Sequence, residues 1–207
     1  MTLQELNPGN ILKTSGSYWE ACTLHAGVKL DVFSIIGNKH LTQKDVADKL
    51  HGDQKGVEML LNALSAMGLL EKNDNTYSNT PLSSTFLVRD ASRYIGHIVK
   101  HHHHLVDSWS RLDVAVKSGQ PVRDSAAHTD EERRESFLMG MFNLAMNLAP
   151  IIVPKIDLSK CRHLMDMGGG PGTYSIHFCL INPNLKATII DLPSTRPFAE
   201  KTIAKFN

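Results

Sequence analysis

The chain has 207 residues, 42% of them hydrophobic and 21% charged, enough for one large domain or two small ones with a buried core. Lys and Arg number 22 against 21 Asp and Glu, so no overall field draws in nucleic acid or an anionic membrane. Cys22, Cys161 and Cys179 form no CxxC pairing, the first residues lack a secretion signal, and no apolar run is read as a membrane span of ~20 residues, so a reduced, cytoplasmic setting is expected.

From Tyr18 to Ile36 the apolar residues Leu24, Val28, Val32 and Ile35 fall at helical spacing, predicting a helix that stops at Gly37. "LTQKDVADKL" opens with Thr42 as N-cap and Asp45 three positions on, a capping-box pattern. In "DQKGVEMLLNALSAMGLLEK", Asp53 caps a helix whose stripe is Leu60, Leu61, Leu64 and Met67, with Gly68 near its end. Turn-rich sequence with strand-capable pieces around Tyr77 follows. Three helices and then a small hairpin is the order of a winged helix-turn-helix. Between Lys39 and Lys72, however, five lysines are matched by five acids, which argues against a DNA reader and for packing on another chain.

A helical region is expected from about Ala91 to Pro150. Ile95, Ile98, Val99, Leu105, Val106, Trp109, Leu112 and Val116 would share one stripe that ends at Gly119. Within it lies "HHHH", residues 101–104. His97, His101 and His104 share a helix face, but no thiolate or carboxylate at ligand spacing completes a metal set, so no metal is expected and the role of His101 to His104 is left open. "EERRESFLMGMFNLAMNLAP" is rich in Met and Phe. It suits either a core or a pliable wall for a small aromatic ligand, touched by Phe142 and Met146.

The densest motif is "HLMDMGGGPGTYSIHF", residues 163–178, with glycines at 168, 169, 170 and 172. A buried-type strand, a glycine turn, a helix, a second buried-type strand "LKATIID" and an acid form the opening βαβ of a doubly wound sheet. Ligands of such folds sit at the carboxyl ends of the strands, where Gly168 to Gly172 and Asp191 fall. A diphosphate fingerprint would read G-x-G-x-x-G, but here Thr173 stands three after Gly170, and Pro171 removes an N–H that an anion would need. The pattern suits a ligand without phosphates whose polar tail lies on bare backbone and whose ribose hydroxyls meet Asp191. S-adenosylmethionine meets both demands, with NAD or FAD, and a purely structural glycine turn, as the alternatives.

With "MDMGGGPGTYS", "ATIIDLP", "FNLAM" and "WSRLDVAVKSGQPV" in place, the chain resembles the small-molecule O-methyltransferases that carry an N-terminal winged-helix dimerisation domain, and "LTQKDVADKLHGDQKGVEMLLNALSAMGLLE" looks like their dimerisation module. The resemblance implies a mainly α winged-helix dimerisation domain over 1–90, a helical connector lining the substrate pocket over 91–155, and, over 156–207, the first βαβ of a Rossmann-like α/β methyltransferase domain. It implies S-adenosyl-L-methionine as cofactor, held by Asp166, Gly168, Gly169, Gly170, Gly172, Asp191 and Leu192, with Trp109, Phe142, Asn143 and Met146 lining the substrate pocket. A homodimer, a small and aromatic hydroxyl acceptor, and no nucleic-acid or membrane partner follow from it. The family's general base is expected beyond residue 207, so the chain reads as an inactive N-terminal portion, and no catalytic residue is assigned. Non-methylating chemistry on the same scaffold, or a non-catalytic dimerisation or regulatory module, are the alternative readings.

Overall fold

The structure, a computed structural model, describes residues 7–122 and 131–206. It separates into two compact units, one ending at Tyr94 and the other beginning at Ile95.

The first unit contains α1 (Gly9–Gly16), α2 (Tyr18–Lys29), α3 (Val32–Ile36), β1 (Leu41–Thr42), α4 (Gln43–Leu50), α5 (Gln54–Ala66), β2 (Leu70–Asn73), β3 (Thr76–Asn79) and α6 (Pro81–Phe86). The single helix expected over 18–36 is two, because Asp31 adopts a left-handed conformation (φ 55°) that an aspartate tolerates and that no α-helix can continue through. Gly37 does end α3, also at positive φ. At α4 the capping box forms: Thr42 Oγ1 accepts from the Asp45 N–H (3.2 Å), and the Asp45 carboxylate accepts from the Thr42 N–H (2.9 Å). Asp53 caps α5 through the Gly56 N–H at 2.8 Å.

Strands β2 and β3 pair as an antiparallel hairpin, and β1 adds to the far side of β3, giving the order β1-β3-β2. Val28, Val32, Phe33, Ile36, Val46, Leu61, Leu64, Leu70 and Tyr77 make the core. Leu61 and Leu64 of the expected stripe are buried, and Leu60 and Met67 are half-buried. Asn79 locks the hairpin to the helices by donating to the carbonyls of Phe33 and Gly37 at 2.8 and 2.9 Å. By contrast α1 buries nothing, and Ile11, Leu12, Tyr18 and Trp19 stand exposed with the last two rings edge-on at 5.6 Å.

The second unit contains α7 (Gly96–Trp109), α8 (Leu112–Ser118), α9 (Glu131–Ile152), β4 (His163–Met167), α10 (Thr173–Ile181), β5 (Lys186–Ile190) and α11 (Arg196–Ile203). The stripe read from Ile95 to Val116 is broken at Ser110–Arg111, so its two parts are separate helices. Only Ile98 and Val99 are buried; Trp109, Leu112 and Val116 are exposed. α7 and α9 pack antiparallel, fixed by Gly140 against Ile98, the His101 ring 5.2 Å from that of Phe137, and Lys100 3.6 Å from Glu132.

Residues 131–155 are long and apolar enough to cross a membrane by length and composition, a correction to the sequence expectation. Here Ser136, Leu138, Met139, Gly140 and Ala149 of that segment are buried in the unit. β4 and β5 run parallel, His163 opposite Lys186 through Met167 opposite Ile190. Both strands were expected to be buried. They instead alternate exposed and half-buried, because among the described residues helices cover one face only, leaving Met165, Met167 and Ile190 open.

Candidate functional site

Backbone geometry builds the site first. β4 ends at Met167, and Gly168, Gly170 and Gly172 then take positive φ (71°, 55° and 78°), turning the chain sharply into α10. A side chain on Gly172 would run into Ile189 of β5, and one on Gly169 would meet the Asp166 carboxylate at 2.6 Å. Gly172 is therefore demanded by the protein itself, through its positive φ and Ile189, while a side chain at Gly169 would force the Asp166 carboxylate to shift. Gly168 and Gly170 face open space instead, with nothing within 4 Å of where a Cβ would stand. That is a cradle a side chain would fill.

Asp191, just past β5, ties the turn down. Its Oδ2 accepts from the Gly170 N–H and its Oδ1 from the Leu192 N–H, both at 2.7 Å. Burial pushes this carboxyl up, but the hydrogen bonds from Gly170, Leu192 and the Thr195 hydroxyl together outweigh it and hold the group below the ordinary carboxylate range. The group thus stays ionised at neutral pH, with lone pairs left to accept ligand hydroxyls. Asp166 is engaged from the other side by the Ser175 hydroxyl at 2.7 Å.

α10 starts at Thr173 with no side-chain cap, so its first amide groups are available to an acceptor. The Thr173 hydroxyl is buried with no hydrogen-bond partner among the described residues. A buried, unsatisfied hydroxyl at the mouth of a glycine turn fits a polar group bound there.

These groups open into a cleft of ≈ 1160 Å³. Asp166, Gly168, Gly169, Gly170, Asp191 and Leu192 line it, joined by Pro171, Thr173 and Tyr174; Gly172 shapes the turn from beneath. The other wall is one face of α7, with His101, His104, Leu105 and Ser108, and one face of α9. The residues expected there do not line it. Trp109 is 66% exposed outside it, and Phe142, Asn143 and Met146 are displaced by Leu138, Met141, Leu144 and Ala145, their neighbours on the helix. Phe142 lies under the Lys205 ammonium (5.8 Å) instead. Which residues α9 presents depends on its rotation against α7, which Gly140 sets by lying flat on Ile98.

His101 is held below its ordinary pKa by burial and by the neighbouring His102, so it is neutral at pH 7. Among the described residues no group of three or more His, Cys, Asp or Glu could hold a metal ion. Thr173 and Thr195 escaped the sequence reading. The first followed directly from its place after the last glycine; the second, four residues past Asp191, carried no signal.

Comparison with known proteins completes the picture. Residues 12–89 match the O-methyltransferase dimerisation domain and residues 116–205 the O-methyltransferase domain. The chain is similar to the 3-hydroxy-5-methyl-1-naphthoate 3-O-methyltransferase of Streptomyces sahachiroi, with 32% identity over 90% of this chain and 56% of that protein. It is 28% identical to an N,N-dimethyltransferase of Streptomyces rimosus, over 94% of this chain and 59% of that one. A solved O-methyltransferase family protein from Burkholderia thailandensis superposes with a TM-score of 0.84 at 30% identity, covering 97% of this chain and 61% of that one. The chain thus spans less than two thirds of the length of these relatives.

Proposed function

Because the chain belongs to the S-adenosylmethionine-dependent O-methyltransferase family, we propose that its glycine turn and Asp191 hold S-adenosyl-L-methionine and that the α7–α9 wall holds a small aromatic hydroxyl acceptor. The observation that carries this reading is the turn itself: two open glycines beside an ionised carboxylate and an unsatisfied threonine hydroxyl, with a proline where a diphosphate would need a donor. When bound, the cofactor supplies an electrophilic methyl group on a sulfonium.

The chain's own residues bind and orient. Asp191 accepts the ribose hydroxyls. The free amides at the start of α10 and the Thr173 hydroxyl take the polar amino-acid tail. Phe137, Leu138, Met141 and Leu144 give the acceptor ring an apolar surface that excludes water. Alignment of acceptor oxygen and methyl is the contribution such a cleft makes to rate.

The first unit serves as the dimerisation element, in winged-helix form. Its match over 12–89 and the exposed Ile11, Leu12, Tyr18 and Trp19 support a homodimer.

Calorimetric titration with S-adenosylhomocysteine tests the cofactor site. Asp191→Ala is expected to weaken binding roughly ten- to a hundredfold, the size of a charged hydrogen bond. Unchanged affinity would remove Asp191 from the site.

A further inference from the structure

The four histidines at 101–104 do not share one environment. His102 is exposed, and His103 and His104 are already engaged within the fold. His101 is half-buried and lines the cleft, its ring 5.2 Å from that of Phe137 and tilted 57° to it. Among the described residues its ring nitrogens make no hydrogen bond, and its aromatic neighbours are Phe137 and His102. Half-burial on an apolar wall takes water from nitrogens that need hydrogen bonds. The charged groups around it are committed elsewhere. Lys100 pairs with Glu132 at 3.6 Å, and Arg133 and Arg134 hold interactions of their own. Asp166, Tyr174 and Asp191 also line the cleft, with Asp191 tied to the Gly170 and Leu192 amides.

Resting on the acceptor wall proposed above, we infer that His101 recognises the acceptor's hydroxyl: one ring nitrogen accepts the hydrogen of an O–H on an aromatic ring that lies against Phe137. The corner between the two side chains suits this, since a flat ring laid on Phe137 carries its edge substituents toward the imidazole. A neutral imidazole has a lone pair to accept with, whereas an imidazolium has only donors. Burial, with His102 beside it, lowers the His101 pKa, so the accepting form lasts below the ordinary histidine value of 6.5. A hydroxyl satisfies that lone pair. A methyl ether in the same place brings a second acceptor and leaves it unmet. The cleft thereby prefers a ring with a free O–H over the same ring already capped by a methyl group.

The probes are 4-propylphenol and its methyl ether, titrated calorimetrically into the full chain with and without S-adenosylhomocysteine. A phenol titrates near about pH 10, so pH dependence in the neutral and mildly acid range comes from the protein. In neutral solution the phenol is expected to bind about fivefold more tightly than the ether, the size of one hydrogen bond. The preference should hold at pH 6.5 and fade in more acid solution, where an imidazolium donates to both probes alike. His101→Phe keeps a ring against Phe137 and should bring the two probes within about twofold of each other. His101→Gln offers a carbonyl oxygen that does not titrate, and should keep part of the preference in neutral and acid solution alike. Melting temperatures near the parent's show that both variants fold. Equal binding of phenol and ether by the parent, a preference that survives in His101→Phe, or a preference in His101→Gln that fades in acid as the parent's does would each overturn the inference while leaving the acceptor wall in place. Failure of both probes to bind would strike the wall and the inference together. Failure of S-adenosylhomocysteine to bind would strike the cofactor site alone, because the two probes are also compared in its absence.

Discussion

Thr173 is the residue on which stability and binding pull in opposite directions. Its buried hydroxyl has no partner among the described residues, and leaving such a group unsatisfied costs about 1–3 kcal/mol. Thr173→Val keeps the shape and removes the demand. The variant is expected to melt at or above the parent's temperature while binding S-adenosylhomocysteine roughly fivefold to tenfold more weakly; a variant that loses stability and keeps its affinity would assign the hydroxyl to folding. At this scale the sequence spoke clearly where spacing imposes geometry. Thr42 with Asp45 and the glycines of the turn were legible, because caps and positive-φ turns admit few residue types. Trp109, Phe142, Asn143 and Met146 do not line this cleft, and a helix rich in Met and Phe offers apolar side chains on every face, so periodicity alone does not say which one meets it.

The pairing of α7 with α9 is the element on which the acceptor wall depends. A Cβ on Gly140 would lie 3.1 Å from the Cα of Ile98, a backbone atom that cannot swing aside. Gly140→Ala gains about 1 kcal/mol of helix propensity against a similar crowding penalty and should be close to neutral. Gly140→Val adds two methyl groups at the same contact and is expected to cost about 2 kcal/mol in a urea denaturation. A fully neutral valine variant would mean the helices do not touch there. Element existence was legible from caps and periodicity. The breaks at Asp31 and Ser110 were not, since neither is a Gly or a Pro and the apolar spacing continues across both. The alternation in β4 and β5 was hidden for a related reason. An unbroken apolar run such as "ATII" implies cover on both faces, and the described helices cover one.

At the scale of the whole molecule, both units carry exposed apolar side chains, and the second also holds the cleft. Light scattering of the parent chain is expected to give a dimer, and Trp19→Glu a monomer, since a buried, unpaired carboxylate would not be tolerated at an apolar contact. A monomeric parent would remove the dimerisation role. The order of the elements could be read from the sequence because its punctuation differs so sharply along the chain, caps and hairpin first and the glycine turn last. Within the cleft, the tether from Asp191 to the Gly170 amide and the fixed ring of Pro171 hold a glycine-rich turn in one shape before any ligand arrives. Four glycines left slack would have to be frozen at each encounter. Here the freezing is done at folding, so the affinity of an arriving molecule measures how well its outline matches the mould and owes little to ordering the chain around it.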